Sequence, residues 1–111
     1  MQTSTEDFFV YITYEGAPQD RFDRDYYINR HLPTAKAAYG QYGLKNIAAF
    51  FPSAPHSGTV AVCEMRYTSE DKAKTAFGSI EADDVRADLV RFTDLKPKRS
   101  FLSPLVWGAS R

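Results

Sequence analysis

The feature that most constrains the fold of this chain is a series of four short runs rich in β-branched and aromatic residues. A helical pattern follows the first run and another follows the third. The strand-like runs end at turn or helix-capping signals and occupy 8–14, 44–51, 59–67 and about 98–107. The order β-α-β-β-α-β predicts an α+β chain with one antiparallel four-stranded sheet and both helices on one face. Because 111 residues suffice for a single core, we expect one domain over 1–111, with 1–6 as a loose N-terminus.

The first helix has strong signals at both ends. Asp23 is a good N-cap, and Phe22 and Tyr27 have the spacing of a hydrophobic staple around it. Gly43 suits the left-handed residue that follows a helix C-terminus. Pro33 lies inside the apolar pattern, and since its nitrogen cannot donate a hydrogen bond, we expect a kink just before it.

The second helix begins after a polar capping segment at 68–71, and a further helical stretch follows it. Its predicted apolar stripe consists of Ala73, Ala76, Phe77 and Ile80. In the following stretch the apolar positions recur at helical spacing, at Val85, Leu89 and Phe92. Both segments are therefore expected to pack on the same side of the sheet.

The strands are apolar on both faces, although two helices can cover only one. In the first strand Phe8, Val10 and Ile12 point one way, while Phe9 and Tyr11 point the other. A large uncovered apolar face usually marks an interface. We therefore expect a homodimer in which the two sheets pack face to face. The alternative is a monomer that tolerates these residues in water.

Charge and cysteine content exclude several classes of partner and site. Fourteen basic and fourteen acidic residues give a net charge of zero, so the sequence predicts no nucleic-acid partner and no attraction to a membrane surface. No run is long and apolar enough to span a bilayer. Cys63 is the single cysteine, which excludes an intrachain disulfide and a cysteine-based metal cage and favours a cytoplasmic location. We expect no metal.

Two segments resemble the EthD family. The first is Phe-Asp-Arg-Asp-Tyr-Tyr at 22–27 followed by Arg-His-Leu-Pro at 30–33, and the second is Phe-Thr-Asp-Leu-Lys-Pro at 92–97. The resemblance implies a ferredoxin-like βαββαβ fold of the dimeric α/β-barrel type, with one cleft per subunit between helices and sheet. Relatives in the wider superfamily include cofactor-free monooxygenases, lactone isomerases, decarboxylases and haem-degrading enzymes.

Three residues are the candidates for catalysis. His31 can exchange a proton near neutral pH, and Tyr27, one helical turn before it, can orient it or donate to a substrate oxygen. Asp94 can orient the imidazole as well. Each has a structural alternative: His31 can bond a carbonyl freed at the kink, Tyr27 can be a core residue, and Asp94 can cap a turn.

The remaining candidates would bind the substrate. Tyr27, His31 and Thr34 share one predicted helix face. The full set of candidate substrate-binding residues is Tyr26, Thr34, Tyr11, Phe9, Phe50, Phe92 and Trp107. They indicate a small, largely apolar, oxygen-bearing molecule such as a phenol, a polyketide or a cyclic ketone.

The functional hypothesis is a cofactor-independent enzyme in which His31 transfers a proton, of the monooxygenase, decarboxylase, dehydratase or isomerase type. The sequence contains no phosphate loop, nucleophile elbow or dinucleotide fingerprint, so no cofactor is expected. Two alternatives stay open. One is a non-catalytic dimeric module that binds a small ligand, and the other is a haem-binding or haem-degrading protein with His31 as axial ligand.

Overall fold

The computed structural model describes residues 7–103. In chain order the elements are β1 (Phe8–Gly16), α1 (Arg24–Tyr26), a π-helical segment (Tyr27–His31), α2 (Leu32–Tyr39), a 3₁₀ turn (Gly40–Tyr42), β2 (Leu44–Phe50), β3 (Gly58–Tyr67), α3 (Glu70–Phe77), α4 (Glu81–Ala87), a second 3₁₀ turn (Asp88–Arg91) and β4 (Lys98–Leu102). No helix within 7–103 is long and apolar enough to cross a membrane.

The four strands form one antiparallel sheet in the order β2-β3-β1-β4. The first strand of the sequence is therefore central, and the last lies at an edge. This is the ferredoxin-like α+β topology, so the predicted fold class is confirmed. β4 was expected to continue to about residue 107, but in the structure it ends at Leu102. Residues 104–107 of the expected strand, including Trp107, lie outside the described range.

The predicted signals at both ends of the first helical region are present. The Asp23 carboxylate accepts a hydrogen bond from the Tyr26 amide at 3.0 Å, and the rings of Phe22 and Tyr27 lie 5.0 Å apart. Gly43 adopts a φ of 87°, and a Cβ atom there would approach the Thr68 hydroxyl to 2.7 Å. Both the left-handed backbone and the lack of space favour glycine at this position.

Pro33 is accommodated by a π-helical segment where the sequence predicted a kink. The Leu32 amide donates to the carbonyl of Tyr27, five residues earlier, so this turn contains one residue more than an α-helical turn. Pro33 then falls in the first turn of α2, where its missing N–H is least costly.

The extra residue in the π-helical turn also changes which residues of the helix face the core. The predicted face included Tyr27, His31 and Thr34, but Thr34 is exposed and its hydroxyl donates to the Arg30 carbonyl at 2.8 Å. The buried positions recur at every fourth residue, at Tyr27, His31, Ala35 and Tyr39. The helix therefore turns Ala35 inward, and Thr34 faces solvent.

The second helical region packs as predicted except at its end. Ala73 and Ala76 of α3 are fully buried, but Ile80 is 78% exposed because α3 ends at Phe77 before reaching it. The prediction that Ile80 belongs to the apolar stripe was wrong. In the next segment Val85 and Phe92 are buried, as the helical spacing indicated.

The two faces of the sheet differ in coverage. The helices cover the face that carries Tyr14 and Cys63, together with Phe8, Val10, Ala61, Met65 and Tyr67. The opposite face, which we call the open face, carries Phe9, Tyr11, Phe50, Val62 and Leu102. On it, Phe50 is 54% and Leu102 is 46% exposed.

Candidate functional site

A cavity of about 310 Å³ lies between the covered face of the sheet and the helices. Both the sheet and the two helical regions contribute residues to its lining. The lining residues are Ile12 and Tyr14 of β1, Arg99 of β4 with the preceding Pro97, His31 and Tyr39 of the first helical region, and Phe77, Val85, Arg86 and Leu89 of the second. Most of these side chains are apolar, and a volume near 300 Å³ suits a small organic ligand.

His31 is the last residue of the π-helical segment and is only 5% exposed. Its Nδ1 atom lies 2.9 Å from Oδ2 of Asp88, the first residue of the second 3₁₀ turn. An ionised carboxylate can only accept, so the proton of the neutral imidazole belongs on Nδ1. This leaves Nε2 with a lone pair, and Nε2 has no hydrogen-bond partner within residues 7–103.

Asp88 holds three groups together. Its Oδ1 atom accepts a hydrogen bond from the Tyr26 hydroxyl at 2.7 Å and lies 3.4 Å from Nε of Arg91. The Asp88 side chain is 15% exposed, so water reaches it only in part. Desolvation favours the protonated acid, yet the hydrogen bonds from Tyr26 and His31 prevail and lower the pKa of Asp88. Asp88 is therefore a carboxylate at neutral pH.

Two aromatic rings fix the plane of the imidazole. The Tyr27 ring is stacked on it with centroids 5.6 Å apart and planes at 17°, and Phe92 lies 4.6 Å away. The hydroxyl of Tyr27 interacts with Cys63 and Tyr14 instead of with the imidazole. Burial and these neighbours raise the pKa of Tyr27, so it stays a neutral phenol. Tyr27 thus contacts His31 through its ring alone.

The ionisation of His31 is set by two opposing effects. Burial lowers the pKa of the imidazole, and the carboxylate of Asp88 partly offsets this by favouring the charged form. The net shift is downward from 6.5. His31 is therefore neutral at neutral pH and suited to accept a proton at Nε2.

Asp94 is placed away from this cluster. Its side chain is 76% exposed and pairs with Arg21, with Oδ1 2.9 Å from Nη2 and Oδ2 3.2 Å from Nε. The carboxylate bonded to His31 is Asp88, six residues earlier. The preceding Thr93 caps the turn, since its hydroxyl accepts from the Leu95 amide at 3.0 Å.

The predicted substrate-binding residues are divided between the site and other surfaces. Tyr26 and Phe92 contact the Asp88–His31 cluster. Phe9, Tyr11 and Phe50 lie on the open face, opposite the cavity, and the Tyr11 hydroxyl donates to Glu64 there. They were expected to form aromatic walls, but strand alternation turns them away from the helices.

Sequence reasoning missed Asp88, which bonds His31, and every cavity-lining residue except His31. The missed lining residues with polar groups are Tyr14, Tyr39, Arg86 and Arg99. A signal for Asp88 was present. It lies three residues after Val85 and four before Phe92, which places an acid on the apolar face of a helical pattern. A charged residue at such a position is buried only when it is paired. The arginines gave no comparable signal, because exposed arginines are common.

The described residues contain no group of three or more metal-ligating side chains. The second histidine, His56, is exposed in the loop between β2 and β3 and bonds the carbonyl of Ser57. The cluster around His31 therefore offers one imidazole, one carboxylate and one phenol, which suits transfer of a proton.

Solved structures share this fold. An EthD-like protein from Ralstonia eutropha superposes with a TM-score of 0.80 at 22% identity, over 96% of this chain and 99% of the other. An EthD family protein from Bacillus halodurans gives 0.63 at 19% identity, over 85% and 96%.

A cofactor-independent oxygenase from Streptomyces nogalater, SnoaB, gives a TM-score of 0.62 at 12% identity, over 93% of this chain and 95% of that one. No family model and no curated protein matches the sequence. The two short segments that resemble the EthD family thus lie in a chain whose backbone is similar to EthD-like proteins over 85–96% of its length. This chain has the ferredoxin-like fold of the EthD-like proteins.

Proposed function

We propose that this protein is a cofactor-independent enzyme that removes a proton from a small, largely apolar, oxygen-bearing substrate, with Nε2 of His31 as the base. The observation that carries the proposal is the 2.9 Å contact between His31 and Asp88 beside the cavity. It directs the unprotonated nitrogen away from the carboxylate, and the imidazole lines the cavity.

In this reaction each neighbour has a distinct part. When Nε2 takes a proton from a C–H or O–H group next to a carbonyl or aromatic ring, His31 becomes an imidazolium. Asp88 then stabilises that charge, and Tyr26 and Arg91 keep the carboxylate in place. The substrate is left as an enolate or phenolate. Its structure decides whether reprotonation, loss of a leaving group or reaction with oxygen follows.

The fold supports the same class of chemistry. SnoaB, whose backbone resembles this one, is a cofactor-independent oxygenase. An enolate or phenolate is the electron-rich form that reacts with oxygen, so a base beside an apolar cavity is what such chemistry needs from the protein.

We further propose that the working unit is a homodimer formed through the open face. This face exposes Phe50 and Leu102 at its two edge strands and carries Val62 at its centre. Packing two such sheets together would remove these residues from water. Val62→Lys should give a monomer by light scattering, whereas Val90→Lys, at a 72% exposed site on the helical side, should leave the dimer intact. A monomeric wild type would contradict the proposal.

Exchange of acidic C–H protons tests the chemistry without knowledge of the natural substrate. 2-Tetralone, a bicyclic ketone, is incubated in D₂O with the protein, and loss of its α-proton signals is followed by NMR. We expect the wild type to accelerate exchange and His31→Gln to abolish the acceleration while retaining the circular dichroism spectrum of the wild type. Equal exchange rates in the two proteins would refute His31 as the base.

Two results would favour the other functions. Tight binding of 2-tetralone without exchange would contradict catalysis and indicate a binding module. A Soret band on titration with hemin, lost in His31→Gln, would indicate a haem protein. We expect no such band, because the cavity lies at the small end of the range for ligand sites.

A further inference from the structure

The end of the cavity farthest from His31 carries a second polar group. Tyr39 lies eight residues after His31 on α2, about 12 Å further along the helix axis. It is only 2% exposed and lines the cavity, and its hydroxyl has no hydrogen-bond partner within residues 7–103. Buried hydroxyls are almost always bonded, so this one is placed to bond a ligand.

Arg99 lies at the same end and has no acidic partner among the described residues. Its guanidinium is stacked on two aromatic rings, 4.6 Å from the centroid of Phe77 and 5.4 Å from that of Phe101. Stacking restricts the side chain but leaves the N–H donors at the edge of the plane free. Two parallel N–H groups at this edge form a fork that matches the two oxygens of a carboxylate.

Arg86 adds a second positive charge at this end, but it is already engaged. Its Nη1 atom donates to the Phe77 carbonyl at 3.3 Å, and Nη2 pairs with Asp83. Both guanidinium groups contact Phe77, whose ring centroid lies 5.2 Å from that of Tyr39. Burial raises the pKa of the Tyr39 hydroxyl, and the charges of Arg86 and Arg99 act against that rise. The three residues therefore combine two cations with one neutral donor.

We propose that the cavity binds a flat, apolar acid, with its carboxylate on Arg99 and Tyr39 and its ring system extending toward His31. The placement of the reacting atom at His31 rests on the proposed function, whereas the carboxylate site does not. The apolar lining between the two ends, from Ile12, Val85 and Leu89, would hold the rings.

The test uses two probes of the same shape, 1-naphthoate and 1-naphthamide, titrated by calorimetry. The acid carries a charge and the amide does not. We expect the wild type to bind the acid at least about tenfold more tightly than the amide. This ratio corresponds to the free energy that one charge-assisted hydrogen bond contributes to binding. Arg99→Met should remove this preference and leave the affinity for the amide unchanged.

Three further variants sharpen the result. Lys36→Met removes the same charge from an exposed site on α2 and should keep the preference for the acid. Arg99→Lys keeps the charge without the fork and should retain only part of it. Val85→Trp fills the cavity and should weaken both probes. Equal effects of Arg99→Met and Lys36→Met, or no preference in the wild type, would overturn the proposal.

His31→Gln separates this proposal from the proposed function. If the variant loses proton exchange but still prefers 1-naphthoate, both proposals stand. If the wild type prefers the acid but catalyses no exchange, the carboxylate site stands and the enzymatic function fails. If exchange occurs without any preference for the acid, the carboxylate site fails and the enzymatic function stands.

Discussion

Two aspartates on the connection between α4 and β4, Asp88 and Asp94, have similar chemistry and very different surroundings. Asp88 is 15% exposed and accepts hydrogen bonds from a histidine and a tyrosine, whereas Asp94 is 76% exposed and pairs with Arg21 at the surface. In both, hydrogen-bonding partners lower the pKa of the carboxyl group. The comparison shows that a lowered pKa alone does not single out a candidate catalytic carboxylate. Contact with a cavity-lining residue such as His31 does so here.

The largest expected difference between substitutions of Asp88 and substitutions of Asp94 is in the rate of the catalysed reaction. Asp88→Asn keeps the shape of the side chain but removes the charge that stabilises an imidazolium at His31, so exchange of 2-tetralone protons should slow by roughly 10²–10⁴-fold. Asp94→Asn should change the rate little, because its carboxylate does not contact His31. Rates are compared by NMR in D₂O. Equal losses in the two variants would remove the distinction between the two aspartates.

The next largest expected difference between the two positions is in the free energy of unfolding. Asp88→Ala leaves the Tyr26 hydroxyl and Nδ1–H of His31 without an acceptor in a partly buried site, which should lower the free energy of unfolding by about 1–3 kcal/mol. Asp94→Ala breaks only an exposed ion pair and should cost less. Urea unfolding at pH 7 measures both. A larger loss for Asp94→Ala would contradict the burial argument.

The pKa of His31 should distinguish the same two positions. Burial lowers it below 6.5 and Asp88 opposes the shift, so Asp88→Asn should lower it further and Asp94→Asn should leave it unchanged. NMR titration of the two histidine signals, assigned with His56→Gln, measures this. A rise in the Asp88→Asn variant would mean that the carboxylate does not stabilise the charged imidazole.

The same shift predicts how stability depends on pH. The unfolded chain binds a proton at His31 more readily than the folded one, so folding is disfavoured as pH falls from 6.5 toward the lower pKa of the folded state. Wild-type protein should therefore be less stable at pH 5 than at pH 7, and His31→Phe should show a weaker loss. Urea midpoints at the two pH values provide the measurement. An unchanged pH dependence in His31→Phe would exclude His31 as its source.

The smallest effect concerns salt. The Arg21–Asp94 pair is exposed, so about 0.5 M NaCl should screen it and bring the melting temperatures of wild type and Asp94→Asn together. The difference between wild type and Asp88→Asn should persist, because that cluster is shielded from solvent. Thermal melts at low and high salt compare them.

Local signals in the sequence were sufficient for the fold. Asp23, Gly43 and the alternation within the strands each act within a few residues, so the helix caps, the order of the elements and the presence of two apolar sheet faces could be predicted. Pro33 indicated a disturbance of the helix just before it, but the extra residue in that turn could not be predicted, since nothing local in the sequence specifies a π-helical turn. Ile80 was misplaced because the end of α3 is determined by packing and not by periodicity.

The site depended on contacts between distant segments. His31 and Asp88 are 57 residues apart, and only the packing of the second 3₁₀ turn against the π-helical segment brings them together. Asp94 was chosen because it follows a short predicted helix and stands beside Thr93, but Thr93 caps the turn and Asp94 faces solvent. Which face of β1 lines the cavity was likewise decided by tertiary structure.

The extra residue in the turn Tyr27–His31 sets the angle about the helix axis between Tyr26 and Tyr27 on one side and His31 on the other. Removing one exposed residue there, such as Asn29, would allow ordinary α-helical hydrogen bonding. Tyr26 and Tyr27 would then be turned about the helix axis by one residue's rotation relative to His31, so that the Tyr26 hydroxyl and the Tyr27 ring could no longer hold the Asp88–His31 pair beside the hollow that the imidazole lines. Insertions and deletions in this single turn are thus a route by which related sequences could alter what the hollow accepts without altering the sheet.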